Sequence, residues 1–199
     1  MIKKKKLYEL YVSKKMSVRE IAEVVGLSQG AVNYWIKKFC IPKRSISEAI
    51  YVRSNPNGDP FIFHSPQTKK EAFLYGLGVG LYWGEGTKAD ISSVRLGNTD
   101  AGLILKFIEF LETIWGISRS RMRFGVQIFD DGDSKKILNY WVKTLRVSKG
   151  QFQKVVVTKP RGAGTYRKKV KNGVLTLYFH NKKLNKIFAE ELKKIGSSI

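Results

Sequence analysis

The sequence predicts an α+β protein in two parts, a small helical unit followed by a larger one in which strands and helices alternate. Three observations lead there. Apolar residues recur at helical spacing through the first 50 residues. Turn formers then string together over Asn55-Pro56-Asn57-Gly58-Asp59-Pro60. Beyond them the apolar period switches repeatedly between helical spacing and strict alternation. The expected division is 1–50, a linker at 51–67, and 68–199.

In the first part, 5–15 holds Leu7, Leu10 and Tyr11 at helical spacing. Ser17 and Glu20 form a capping-box pattern that opens a second helix through Ile21, Ala22 and Val25. Gly26 breaks it, and Leu27 and Ser28 lead into a third helix over 29–39. Ala22, Gly26, Leu27, Val32 and Trp35 fall where a helix-turn-helix needs them, with Val32 and Trp35 packing the third helix onto the second. An ordinary helical hairpin would use the same core pattern. Against it stands the outer face, where Gln29, Asn33, Tyr34 and Lys37 are base-edge and phosphate readers with no need of burial. Ser28 at the helix start joins them, as do Lys43 and Arg44 in a proline-stiffened basic stretch suited to a backbone or minor groove. The segment resembles the helix-turn-helix domains of resolvases and transposases.

In the second part the reading is helix 68–85, strands near 87–91 and at 93–98, helix 101–115, strand 121–129, and helix 134–146. Strands at 152–159 and 174–180 and a last helix at 182–195 complete it. Along 121–129, Arg121, Arg123, Gly125 and Gln127 share one face, and Met122, Phe124, Val126 and Ile128 the other. That is a sheet with helices on one side and a polar, basic side free, to which Arg95 belongs. Between the last two strands, Lys159, Arg161, Arg167 and Lys168 surround two glycines in a basic hairpin loop. Each alone reads equally well as solvated; together with the sheet face they favour phosphate contact.

Composition bounds the partners. The 199 residues carry 37 Lys and Arg against 16 Asp and Glu, a net charge of +21. The excess is spread along the chain, so it predicts a polyanion partner rather than a basic tail. A hydrophobic content of 43% supports packed cores. Cys40 stands alone, excluding a disulfide framework or Cys-based zinc site, and His64 and His180 are too few for most His-based ones. The longest apolar run, 73–84, has 12 residues, whereas a membrane span needs about 20. The expectation is a cytoplasmic, nucleoid-associated protein without membrane contact.

The run Phe73-Leu-Tyr-Gly-Leu-Gly-Val-Gly-Leu-Tyr-Trp-Gly-Glu-Gly86 is the most informative. On a helix, Gly76, Gly80 and Gly84 form one smooth stripe. Each interior Gly costs about 1 kcal/mol relative to Ala, which close approach of another backbone offsets. No second copy of the stripe occurs here, so the simplest partner is the same helix of another chain across a two-fold axis. Glu85 faces the negative end of the helix dipole. A divalent cation held by its carboxylate and the Gly84 carbonyl would relieve the conflict. From the residues alone, an ordinary exposed Glu beside a C-capping Gly fits better.

Gly78-Val-Gly-Leu-Tyr-Trp-Gly-Glu85-Gly86 resembles the LAGLIDADG motif of homing endonucleases, with Glu85 at the metal-binding acid. The element order over 68–195 resembles that family's αββαββα core. Departures are Gly78 for the leading Leu, Trp83 where the family often has a first acid, and an inserted helix at 134–146. The resemblance implies DNA gripped by a saddle-shaped sheet, a single-motif homodimer, and Mg²⁺ or Mn²⁺ at Glu85. It also implies water positioning by Asn98. Three functions follow: a homing-type endonuclease cutting a long near-palindromic site, a non-cleaving DNA-binding regulator, and an RNA maturase. Glu85 favours the nuclease slightly. The helix-turn-helix favours duplex DNA over RNA, whose deep major groove admits no helix.

Overall fold

In the computed structural model, which describes residues 2–130, 132–159 and 171–197, the chain is α+β. Among the described residues it has eight α-helices and one four-stranded mixed sheet. It divides into two units, Met1–Pro60 and Phe61–Ile199.

The first unit begins with α1 (Lys4–Tyr8), which widens into a π-helical turn, Glu9–Ser13. Helix α2 (Val18–Val25) opens on the expected capping box. The Ser17 hydroxyl accepts from the Glu20 N–H at 3.2 Å, and the Glu20 carboxylate accepts from the Ser17 N–H at 2.7 Å. That second bond holds the Glu20 carboxyl below its ordinary range. Gly26 ends α2 at φ +66, a left-handed value that glycine adopts without a Cβ penalty. Helix α3 (Gln29–Lys38) follows, capped by the Ser28 hydroxyl. Leu7, Leu10, Tyr11, Ile21, Ala22, Val32, Ile36 and Ile41 form the core. Ile36, one turn on from Val32, joins the packing of α3 that Val32 and Trp35 provide. Trp35 is only half-buried and stacks on Phe39, with ring centroids 5.2 Å apart.

The expected linker is not linker throughout. Its start lies in α4 (Ile46–Ser54), which opens on a second capping box, Ser45 with Glu48. Its end belongs to the second unit. Phe61 is buried there, and the N–H groups of Ile62 and His64 donate to the carbonyls of Trp115 and Ile114 at 2.9 and 2.7 Å.

Helix α5 (Lys69–Glu85) opens on a third box, Thr68 with Glu71, and buries Leu74, Gly78 and Tyr82 at i, i+4, i+8. It packs on α6 (Ala101–Thr113). A Cβ on Gly78 would stand 2.1 Å from the Phe110 ring, itself fully buried. Gly78→Ala should therefore destabilise the unit by about 1–3 kcal/mol, the usual cost of overpacking. Thermal melting checks this, and an unchanged midpoint would mean that Phe110 has room to move.

Four strands follow: β1 (Val94–Asn98), β2 (Arg123–Phe129), β3 (Val156–Thr158) and β4 (Val174–Phe179), in the order β1-β4-β2-β3. All neighbours are antiparallel except β2 and β3. Helix α7 (Ser134–Leu145) lies between β2 and β3 in sequence, and α8 (Lys182–Gly196) closes the chain. Val94, Leu96, Phe124, Val126, Ile128, Leu175, Leu177 and Phe179 turn one sheet face into the core, against Ile104, Phe107, Trp141, Leu184 and Phe188.

Among the described residues the elements do not follow the αββαββα order. The strand expected at 87–91 reduces to a single bridge, Gly86 to Leu96, and one further bond from the Thr87 N–H to the Arg95 carbonyl at 3.0 Å. Asp90 is the reason. Its carboxylate accepts from the Ser92 N–H at 2.9 Å and from the Ser92 and Ser93 hydroxyls at 2.6 and 2.8 Å. Such local bonds compete with a strand ladder. They and Arg95 hold the Asp90 carboxyl down to about 2. The strand expected at 152–159 is confined to three residues, on the sheet edge and parallel to β2. Arg121 is not on a strand; it ends a 3₁₀ turn, Arg119–Arg121.

Candidate nucleic-acid interface

Because Val32 and Ile36 are turned inward, the opposite face of α3 is turned outward. Gly30, Tyr34, Lys37 and Lys38 are exposed there, Tyr34 by 56%, and Gln29 is exposed as the first residue of the helix. Asn33, half-buried, donates from Nδ2 to the Gln29 carbonyl at 3.1 Å. Ser28 is spent on the cap. Lys38 was not among the expected contacts; its ammonium lies over the Tyr34 and Trp35 rings at 5.6 and 5.0 Å. The helical spacing Tyr34-Lys37-Lys38 is the signal that would have found it.

Beyond α3, Lys43 is exposed but Arg44 is not a free contact. Its guanidinium donates to the carbonyls of Lys15 (2.6 Å) and Met16 and lies 4.4 Å over the Tyr11 ring. Its backbone N–H donates to the Tyr11 hydroxyl at 3.0 Å. Arg44 thus ties the segment after α3 to the turn before α2. Two neighbouring cations look alike in sequence, and only packing separates them.

In the second unit, strand register sets the other sheet face in rows. Arg95, Tyr178 and Arg123 lie abreast on β1, β4 and β2. Gly97, Thr176 and Gly125 form the next row, then Val174, Gln127 and Val156. These residues are half-buried or exposed. Arg95 is held rather than loose: it pairs with Asp90 at 2.6 Å, donates to the Ser93 hydroxyl at 2.8 Å, and lies 5.1 Å over the Tyr178 ring. Arg123 donates to the carbonyls of Ser120 and Met122, both at 2.9 Å. Gln127 reaches the Thr158 hydroxyl at 3.4 Å. Tyr178 and His180, stacked within 15° at 5.9 Å, add an aromatic surface that the reading of the β2 residues alone did not reveal. Arg121 and Lys159 are exposed, whereas Arg161, Arg167 and Lys168 lie outside the described residues.

Glu85 is the last residue of α5 and is exposed. Gly86 after it has an extended backbone, and a Cβ there would lie 2.4 Å from the Tyr82 carbonyl oxygen. The Lys88 ammonium donates to the Trp83 carbonyl, so a side-chain cation already meets the negative end of the helix dipole. Gly76, Gly80 and Gly84 are exposed, and nothing lies within 4 Å of a Cβ built on any of them. Phe73 and Trp83, exposed by 71% and 43%, stand on the same helix.

Behind Glu85 the chain is clamped by Asn185 of α8, a buried residue with no obvious mark in the sequence. Its Nδ2 donates to the Ser93 and Asp90 carbonyls at 2.8 and 3.1 Å and reaches the Tyr82 hydroxyl at 3.3 Å. The Asn98 side-chain carbonyl oxygen accepts from the Asp100 N–H at 2.9 Å and shapes the turn into α6.

Among the described residues no group of three or more His, Cys, Asp or Glu side chains is placed to hold a metal ion. Glu85 with the Gly84 carbonyl offers one carboxylate and one backbone oxygen, and Mg²⁺, which keeps several waters, is commonly held by one or two carboxylates together with substrate phosphates. Among the described residues no helix is long and apolar enough to cross a membrane. No family model, no curated protein and no solved structure matches this chain.

Proposed function

We propose that the protein binds double-stranded DNA, with α2 and α3 as a helix-turn-helix and α3 as the helix that enters the major groove. The observation that carries this reading is the two-sidedness of α3: Val32 and Ile36 inward, Tyr34, Lys37 and Lys38 outward, and Gln29 exposed in the first turn with Asn33 half-buried one turn on. Amide side chains read base edges, and the two lysines supply the phosphate term. The charge of +21 fits a polyanion partner. Selection of bound sites from a random duplex pool tests it. Enrichment of a defined sequence supports sequence-specific binding, and no enrichment above background overturns it.

A second reading, Mg²⁺- or Mn²⁺-dependent cleavage by a homodimer, is favoured by one arrangement. The glycine stripe is open along its length and ends at an exposed carboxylate. Two copies packed along the stripe would bring two Glu85 side chains toward one axis, which a single chain cannot do. Gly80→Leu should then give monomers in sedimentation velocity at concentrations where the unaltered chain is dimeric. Open space around Gly80 means that leucine disturbs no contact within the chain. A variant that sediments with the unaltered chain places any dimer seam elsewhere.

A further inference from the structure

Helix α7 belongs to neither of the surfaces above. One side of it is core: Ile137, Trp141 and Leu145 are buried, and the Trp141 indole N–H donates to the Asn172 carbonyl at 2.7 Å. The other side carries Lys135, Lys136, Asn139, Tyr140 and Lys143, all exposed. At 3.6 residues per turn these five positions fall within an arc of about 140°, clear of the buried side. Arg146, exposed at the helix end with φ +53, adds a further cation.

The sign of this face is unmixed. No Asp or Glu lies within Ser134–Leu145. The nearest acid before it, Asp133, caps the helix by accepting from the N–H groups of Lys135 and Lys136 at 3.0 and 3.1 Å. It also pairs with the Lys136 ammonium at 3.6 Å, from the N-cap rather than from within the helix. Other helices of the unit mix their charges. Lys106 pairs with Glu109 at 2.7 Å on α6, and Lys186 with Glu190 at 3.7 Å on α8. Like charges gathered on one face repel, and a polyanion relieves them. Asn139 and Tyr140 among the cations supply hydrogen-bonding groups of the kind that engage phosphate and sugar.

We infer that the exposed face of α7 is a phosphate-contacting surface for duplex DNA, separate from α3 and from the polar face of the sheet. It rests on the DNA-binding reading and extends it, because this contact is to backbone and independent of base sequence. Buried Trp141 fixes the helix, so the cations are presented on a rigid element rather than a loop.

The test uses the full chain and a 30-base-pair duplex of arbitrary sequence, with affinity measured by fluorescence anisotropy from 50 to 200 mM NaCl. K135A/K136A/K143A is compared with K182A/K186A/K193A, which removes the same charge from α8. Each lost phosphate contact lowers the slope of log K against log salt by about 0.9, so the α7 variant should lose roughly 1–3 units. The α8 variant should keep the slope of the unaltered chain, and both should keep its melting temperature. Equal losses in the two variants, or no loss in the α7 variant while the unaltered chain binds, overturn the assignment of α7 alone. An unaltered chain that does not bind duplex overturns the DNA reading and this assignment with it. Loss of binding to phosphatidylserine vesicles without loss on duplex would assign the face to a lipid surface and overturn it too.

Discussion

Gln29→Ala with Asn33→Ala should reduce binding to a selected DNA site by about 2–6 kcal/mol, or roughly 30-fold to more than 10⁴-fold. Each bidentate amide–base pair contributes about 1–3 kcal/mol of discrimination. Binding to a scrambled duplex should barely change, because neither residue carries charge. The fold should survive: Val32 and Ile36 remain buried, Ser28 still caps the helix, and only the Asn33 bond to the Gln29 carbonyl is lost. Lys37→Ala should behave differently. It should weaken all duplexes alike and lower the salt slope by about 0.9. Anisotropy on the selected and scrambled duplexes separates the two patterns. Unchanged discrimination in the double variant would move sequence readout away from α3.

Glu85→Gln should abolish Mg²⁺-dependent cleavage of that site, by about a thousandfold or more, equivalent to about 4 kcal/mol of barrier. DNA affinity should stay equal or rise, since the change removes a negative charge near phosphate. Glu85 is exposed and holds up nothing in its own chain, so an effect on cleavage would not arise from unfolding. The measurement is incubation of a plasmid bearing the site with protein and Mg²⁺, Mn²⁺ or EDTA. Equal cutting by the variant removes Glu85 from the chemistry. Tight binding without cutting by the unaltered chain, in either metal, leaves a DNA-binding regulator. Asp90 does not substitute for Glu85, because Ser92, Ser93 and Arg95 already occupy its carboxylate.

The helices of the first unit were legible because their signals are local. Ser17 and Glu20 are three residues apart, and each meets the other's backbone without help from the rest of the chain. Gly26 marks its own left-handed turn. Ser45 and Glu48 carry the same signal, yet the expected linker boundary at 51 cuts through α4, because the turn formers after the helix are the stronger local mark. The strand at 87–91 failed for a related reason. Its alternation was weak, and the Asp90-Ser92-Ser93 cluster offered the backbone a local alternative.

The glycine run on α5 mixes two purposes that sequence spacing cannot separate. Gly78 leaves room for Phe110, from a helix more than 20 residues on, whereas Gly76, Gly80 and Gly84 face open space. Arg44 and Lys43 divide in the same way. Arg44 is drawn inward by Tyr11 and by the carbonyls of Lys15 and Met16, far away in sequence, and Lys43 is not.

By itself the sequence determined the class of the fold, most helix positions, the inward and outward alternation of β2, and the net charge of +21 on which the proposal of a polyanion partner rests. These depend on periodicity, on caps within one turn, and on net charge, all of which act along the chain or on the whole of it. The tertiary structure alone decided which cations stay free, which glycine faces Phe110, that β3 joins the sheet edge in parallel, and that Asn185 clamps the segment behind Glu85. Each of those turns on contacts between residues distant in the chain, where burial and hydrogen-bond partners are set by packing that no local pattern encodes.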